Sequence, residues 1–128
     1  MSPHANETIP LDAVVVAVPA DAAQFRVLRV ATAVVAGDLL DVESVEDAQI
    51  GIEEAASLLL DSEPDGRIDA VLWCDADRLR IRVSATCRPV DDEFDGFRRT
   101  ILDAVTDDVQ ITHEPSSGIS TVEFDKST

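Results

Sequence analysis

At 128 residues with 45% apolar side chains, the chain has the length of one domain and enough hydrocarbon for one core. Its formal net charge of -16 repels nucleic acid and anionic lipid, so direct DNA, RNA or membrane binding is not expected. No apolar run approaches the ~20 residues that cross a bilayer. The opening "MSPHANETIP" lacks the basic-then-apolar pattern of a signal peptide, so a cytoplasmic location is the expectation. The ten cations are nine arginines and one lysine. That bias also fits genome composition or a salty cytoplasm, so charge alone names no partner.

Residues 1–10 are polar with two prolines and read as a flexible tail; 11–125 read as one domain and 126–128 as a C-terminal tail. "LDAVVVAVPA" is a β-branched run ended by Pro19, a buried strand. Asp21 opens a helix with Phe25, Leu28, Thr32 and Val35 at helical spacing, closed by Gly37. Arg26 and Arg29 lie on one flank of it. "SVED" places Ser44 as N-cap of a second helix, with Asp47 completing a capping-box pattern. Val45, Ala48, Ile52, Ala55 and Leu59 form its apolar stripe up to about Asp61.

"SEPDG" is a turn. Residues 67–74 and 79–87 alternate around "DADR", which predicts a hairpin. Leu79, Ile81, Val83 and Ala85 point inward; Arg80, Arg82, Ser84 and Thr86 point to solvent. After "RPVDDE", Phe94, Phe97, Ile101, Ala104 and Val105 mark a third helix. "DDVQITHE" and "ISTVEF" close the chain as two strands around "PSSG". The order β-α-α-β-β-α-β-β predicts an α/β (α+β) two-layer sandwich, with a mixed, mostly antiparallel sheet and helices on one face.

Cys74 and Cys87 fall at opposite ends of the hairpin, eight residues of strand or ~26 Å apart, where a disulfide needs Cα atoms within about 7 Å. Two free thiols are expected, both small core hydrophobes. His4 and His113 stand near no ligand cluster, so no metal site is expected.

Several segments carry a resemblance to the GHKL (histidine kinase-like ATPase) fold, in the compact form of actinobacterial anti-sigma factors of the serine-kinase type. "VPAD" at 18–21 resembles the family's first strand end, and "DAQIGIEEAASLLL" at 47–60 its second helix. "GFRRTILDAVTDDVQI" at 96–111 resembles its late helix and strand, and "GISTVEF" its last strand. The resemblance implies an ATP site, yet the residues that would serve it are changed. Glu54 matches the catalytic base, but Leu58 stands where an asparagine would hold Mg²⁺, which demands oxygen ligands. Ala85 and Cys87 replace the Asp and Gly of the adenine contact. Gly96 is retained, but Arg98 replaces the second phosphate-facing glycine.

What survives is protein binding. In the family the first helix supplies an arginine toward the sigma factor and lies near the homodimer contact; the match places Arg29 there, with Arg26 one turn earlier. The expectation is a non-catalytic, anti-sigma-factor-like regulator with no nucleotide or metal. Its partners would be a sigma factor and an anti-anti-sigma factor, and it would form a homodimer. Alternatives are an ATP- and Mg-dependent serine/threonine kinase with relaxed motifs, or a structural dimerisation module.

Overall fold

The β-branched run Val14–Pro19 forms the first strand, β1. Pro19, with no N–H to donate, closes it, and Asp21 turns the chain by accepting the Ala23 amide at 3.0 Å. A 3-10 turn, Ala22–Gln24, leads into helix α1, Phe25–Ala36, which buries Phe25, Leu28, Thr32 and Ala36. The structure, a computed structural model, describes residues 9–91, 93 and 95–128. His4, Phe94 and most of the predicted N-terminal tail lie outside the described residues.

Helix α2, Val42–Leu60, begins three residues before the start that Ser44 predicts. Asp41 takes the cap by accepting the Ser44 amide at 2.8 Å, and Ser44 is buried in the first turn. A carboxylate competes better than a hydroxyl for the positive end of a helix. Hydrogen bonds from the Ser44 side chain and amide in turn hold the Asp41 carboxyl below its usual range.

Strands β2, Arg67–Asp75, and β3, Arg78–Thr86, form a hairpin whose tip is only Ala76 and Asp77. Ala76 is held at φ 57°, where a Cβ crowds the backbone. Ala76→Gly is therefore expected to raise stability by about 0.5 kcal/mol. Relief of that strain outweighs the extra freedom glycine has when unfolded. A urea midpoint that does not rise would show that alanine is unstrained at this turn.

Helix α3, Gly96–Val105, and strands β4, Asp107–Glu114, and β5, Ile119–Ser127, complete the fold. Lys126 and Ser127, in the predicted tail, belong to the end of β5, and Thr128 follows it. Lys126 Nζ meets Asp47 at 3.2 Å, and Thr128 Oγ1 accepts the Asp41 amide at 3.2 Å. These bonds give the last residues partners on α2.

The five strands lie in the order β1-β2-β3-β5-β4, and every pairing is antiparallel. The predicted mixed sheet is corrected to this. The chain crosses α1 and α2 between β1 and β2, an even number of helices, so β2 returns against β1. A single helix, α3, joins β3 to β4, leaving them pointing the same way, but β5 lies between them. The chain is thus α+β, with helices stacked on one sheet face. On that face Val18, Ile68, Ala70, Leu72, Leu79, Ile81, Val83, Val122 and Phe124 are buried with Leu28, Ile52, Ala55, Leu58, Leu59 and Leu102 of the helices. Gly51 of α2 allows the closest approach: a Cβ there would come within 2.6 Å of Thr106 Cγ2 and 3.2 Å of the Phe124 ring.

Two expectations rotate. The third helix buries only Leu102; Phe97, in the predicted stripe, is 79% exposed. Arg80 and Arg82 do not simply meet solvent. They lie over Trp73 at 5.4 and 5.6 Å from its ring centre, leaving that indole 6% exposed on the helix-free face. Asp125 holds Arg80 at 3.2 Å and Arg78 at 2.9 Å, while Glu123 holds Arg82.

Candidate functional site

Glu54 of α2 and Asp61 at its C-cap are seven residues apart, about two turns along one side of the helix. The first turn of α3 faces them. Between the two helices opens a cleft of about 400 Å³ lined by Glu54, Asp61, Asp95, Phe97, Arg98 and Ile101. Arg98 spans it, donating Nε to Asp61 at 3.0 Å and Nη1 to Glu54 at 3.4 Å. Burial works against the Arg98 charge, but the hydrogen bonds and charges of Asp61 and Glu54 outweigh it and raise its pKa.

Asp95 stands at the N-cap position of α3 without a side-chain capping bond and is only 5% exposed. Burial first, then a hydrogen bond and repulsion from Asp61, push its carboxyl up to about 6, against the pull of Arg98. The cleft therefore holds three carboxyl groups against one guanidinium, and one of the three keeps its proton well above the usual carboxylate range.

Of the residues singled out in the sequence, the structure brings Glu54 and Arg98 together here. Gly96 opens α3 with free space at the position of a Cβ. Leu58 is fully buried in the core, Ala85 is buried on β3, and Cys87 is half-buried against the same core. Leu58 offers only hydrocarbon, and Glu54 is already paired with Arg98. Among the described residues no group of three or more His, Cys, Asp or Glu side chains is placed to hold a metal ion.

Cys74 and Cys87 are free thiols. Cys74 is exposed rather than a core residue, because it stands one residue before the end of β2, near the hairpin tip, with its Sγ 3.4 Å from the Val35 carbonyl. Burial, with the charge of Asp12, raises its pKa, so it is the less reactive thiol form that is favoured. His113 Nδ1 and Ser120 Oγ are 2.7 Å apart, a spacing that suggests a nucleophile and its base. The Ser120 hydroxyl also lies 3.2 Å from the Arg88 carbonyl, which can only accept from it, and the His113–Ser120 pair ties β4 to β5.

The second region singled out is α1. Arg26 is exposed, and Arg29 is half-exposed, paired with Glu53 at 2.9 Å. Beside them runs a stripe that periodicity analysis of the buried face passes over: Ala23, Val27, Val30 and Val34, all exposed, at helical spacing. The valines were visible in "FRVLRVATAVVA" as apolar residues left over once the inner face was filled. Asp61, Asp95, Phe97 and Ile101 gave no such signal, since only the meeting of α2 and α3 assembles them.

No family model matches the chain, and no curated protein matches it. No described helix is long and apolar enough to cross a membrane.

Proposed function

We propose that this chain is a regulator that acts by binding a protein, in the manner of an anti-sigma factor, without phosphotransfer. The observation that carries the reading is the outer face of α1, where Val27, Val30 and Val34 lie exposed beside Arg26 and Arg29. Apolar surface rimmed by cations on a chain of net charge -16 suits a partner bearing both hydrocarbon and carboxylates. The Arg29–Glu53 pair does not obstruct this, because a half-exposed ion pair is worth no more than about 1 kcal/mol and exchanges readily for a partner's carboxylate. The resemblance in segments 47–60 and 96–111 supplies the class of partner, a sigma factor, and the same face is the candidate for self-association. The changes at Leu58, Ala85, Cys87 and Arg98 support action without ATP.

The test is calorimetric titration of the chain with the sigma factors of its own organism. One of them should bind saturably. Arg29→Ala, and to a lesser degree Arg26→Ala, should weaken that complex, Arg29 by about 2 kcal/mol if it anchors the centre. Both variants should fold to within about 0.5 kcal/mol of the parent. Full affinity in both folded variants would put the interface elsewhere, and failure of every sigma factor to bind would remove the reading. Millimolar Mg-ATP should leave Tm unmoved, since a ligand stabilises only when its concentration approaches Kd. A clear rise would restore the kinase alternative.

A further inference from the structure

The α2–α3 cleft is short of positive charge. Glu54 and Asp61 face it from α2, Asp95 from the approach to α3, and Arg98 from α3 itself, while Asp91 adds to the repulsion felt at Asp95. Arg98 spends Nε on Asp61 and Nη1 on Glu54. Asp95, only 5% exposed, lines the cleft beside Asp61, whose charge repels its own. Ionised, that pair repels; only a proton or a second cation relieves it. At the same rim the Phe97 ring is 79% exposed, with Ile101 one turn further along α3.

We propose that this cleft is a receptor for a guanidinium group, filled by an arginine side chain of a protein partner. The planar cation lies on the Phe97 face, as guanidinium groups do on aromatic rings, and directs its paired N–H donors at Asp95 and Asp61. Its hydrocarbon stem runs along Ile101. A volume of about 400 Å³ is within the range of sites that enclose small groups. An anion is disfavoured because carboxyls outnumber the single guanidinium. A bare metal ion is disfavoured because the described side chains form no ligand set for one. Lysine, a strongly hydrated point charge, gains less from the ring and cannot fork across two carboxylates. The inference concerns a surface separate from α1 and holds whichever partner α1 takes.

The experiment follows the Phe97 ring and Asp95 carboxyl resonances of the full chain by NMR at pH 7, during titration with N-acetyl-Gly-Arg-Gly-amide. The ring signals should shift saturably. The Asp95 titration midpoint should fall by about one unit as the new cation stabilises the carboxylate. Asp95→Asn should weaken binding about tenfold, by removing a charge-assisted bond, and Phe97→Ala about threefold, by removing the stacking face. Because Phe97 is so exposed, its variant keeps the fold and tests the site even if Asp95→Asn disturbs it. The proposal is overturned if the shifts do not saturate. It is equally overturned if sodium chloride or the lysine peptide reproduces them at the same concentration, or if binding survives undiminished in both variants. Tighter binding of free arginine than of the capped peptide would point to a small-molecule receptor and overturn the assignment to a protein partner.

Discussion

Leu102→Ala is expected to lower folding stability by about 3 kcal/mol, and Phe97→Ala by no more than about 0.5 kcal/mol. Leu102 is fully buried, and it is the one residue of α3 that is buried among those described. Truncating it leaves a cavity in the core that the surrounding packing collapses only partly to fill. The loss should also be local. With Leu102 gone, α3 is tethered mainly by Arg98 to Asp61 and Glu54, and partly exposed ion pairs contribute little. Amide exchange in α3 should therefore accelerate more than in the β2–β3 hairpin. Urea denaturation of both variants checks the prediction. A Leu102→Ala cost under about 1 kcal/mol would mean that the Arg98 pairs, not the leucine, hold the helix.

This contrast also marks how far the sequence could be read. The hairpin was legible because strand alternation is a two-residue rule: Leu79, Ile81, Val83 and Ala85 are all buried on one face of β3. The inner faces of α1 and α2 were legible for the same reason at helical period. In α3 the rule failed, since Phe97, Ile101, Ala104 and Val105 make a plausible stripe, yet the helix turns to bury Leu102 and bring Arg98 over α2. A hydrophobic pattern cannot reveal that two acids on α2 will draw an arginine inward. The start of α2 was missed for a related reason. Ser44 and Asp47 fit a capping box, but Asp41 is a stronger acceptor three residues earlier. Trp73 belongs by alternation to the solvent face, and its burial depends on Arg80 and Arg82 from the neighbouring strand. Within the cleft, Glu54 and Arg98 were singled out one at a time, while their pairing and the part of Asp95 emerge only from the packing of α2 on α3.

Asp95→Asn is expected to stabilise the folded chain at pH 7.5 by about 2 kcal/mol, with the gain fading to nothing near pH 4. The sign follows from the proton. The Asp95 carboxyl has a pKa of about 6 in the fold against an ordinary 3.8, so the folded state binds its proton more tightly than the unfolded state. Its contribution to stability is fully present below pH 3.8 and is lost as pH rises to about 6, where the buried group finally ionises beside Asp61. Two pKa units correspond to about 3 kcal/mol as an upper figure, reduced because Asp95 and Asp61 titrate as a pair. Asparagine has nearly the same shape and an N–H donor for Asp61, so it reproduces the protonated form at every pH. Groups with the opposite behaviour, such as Asp41, whose lowered pKa costs stability as pH falls, are common to both proteins and cancel in the difference. Urea unfolding of parent and variant at pH 4, 5, 6 and 7.5 gives that difference directly. A gap that does not change with pH, or a variant less stable at pH 7.5, would show that Asp95 is ionised and satisfied within the fold, with Arg98 serving all three carboxylates.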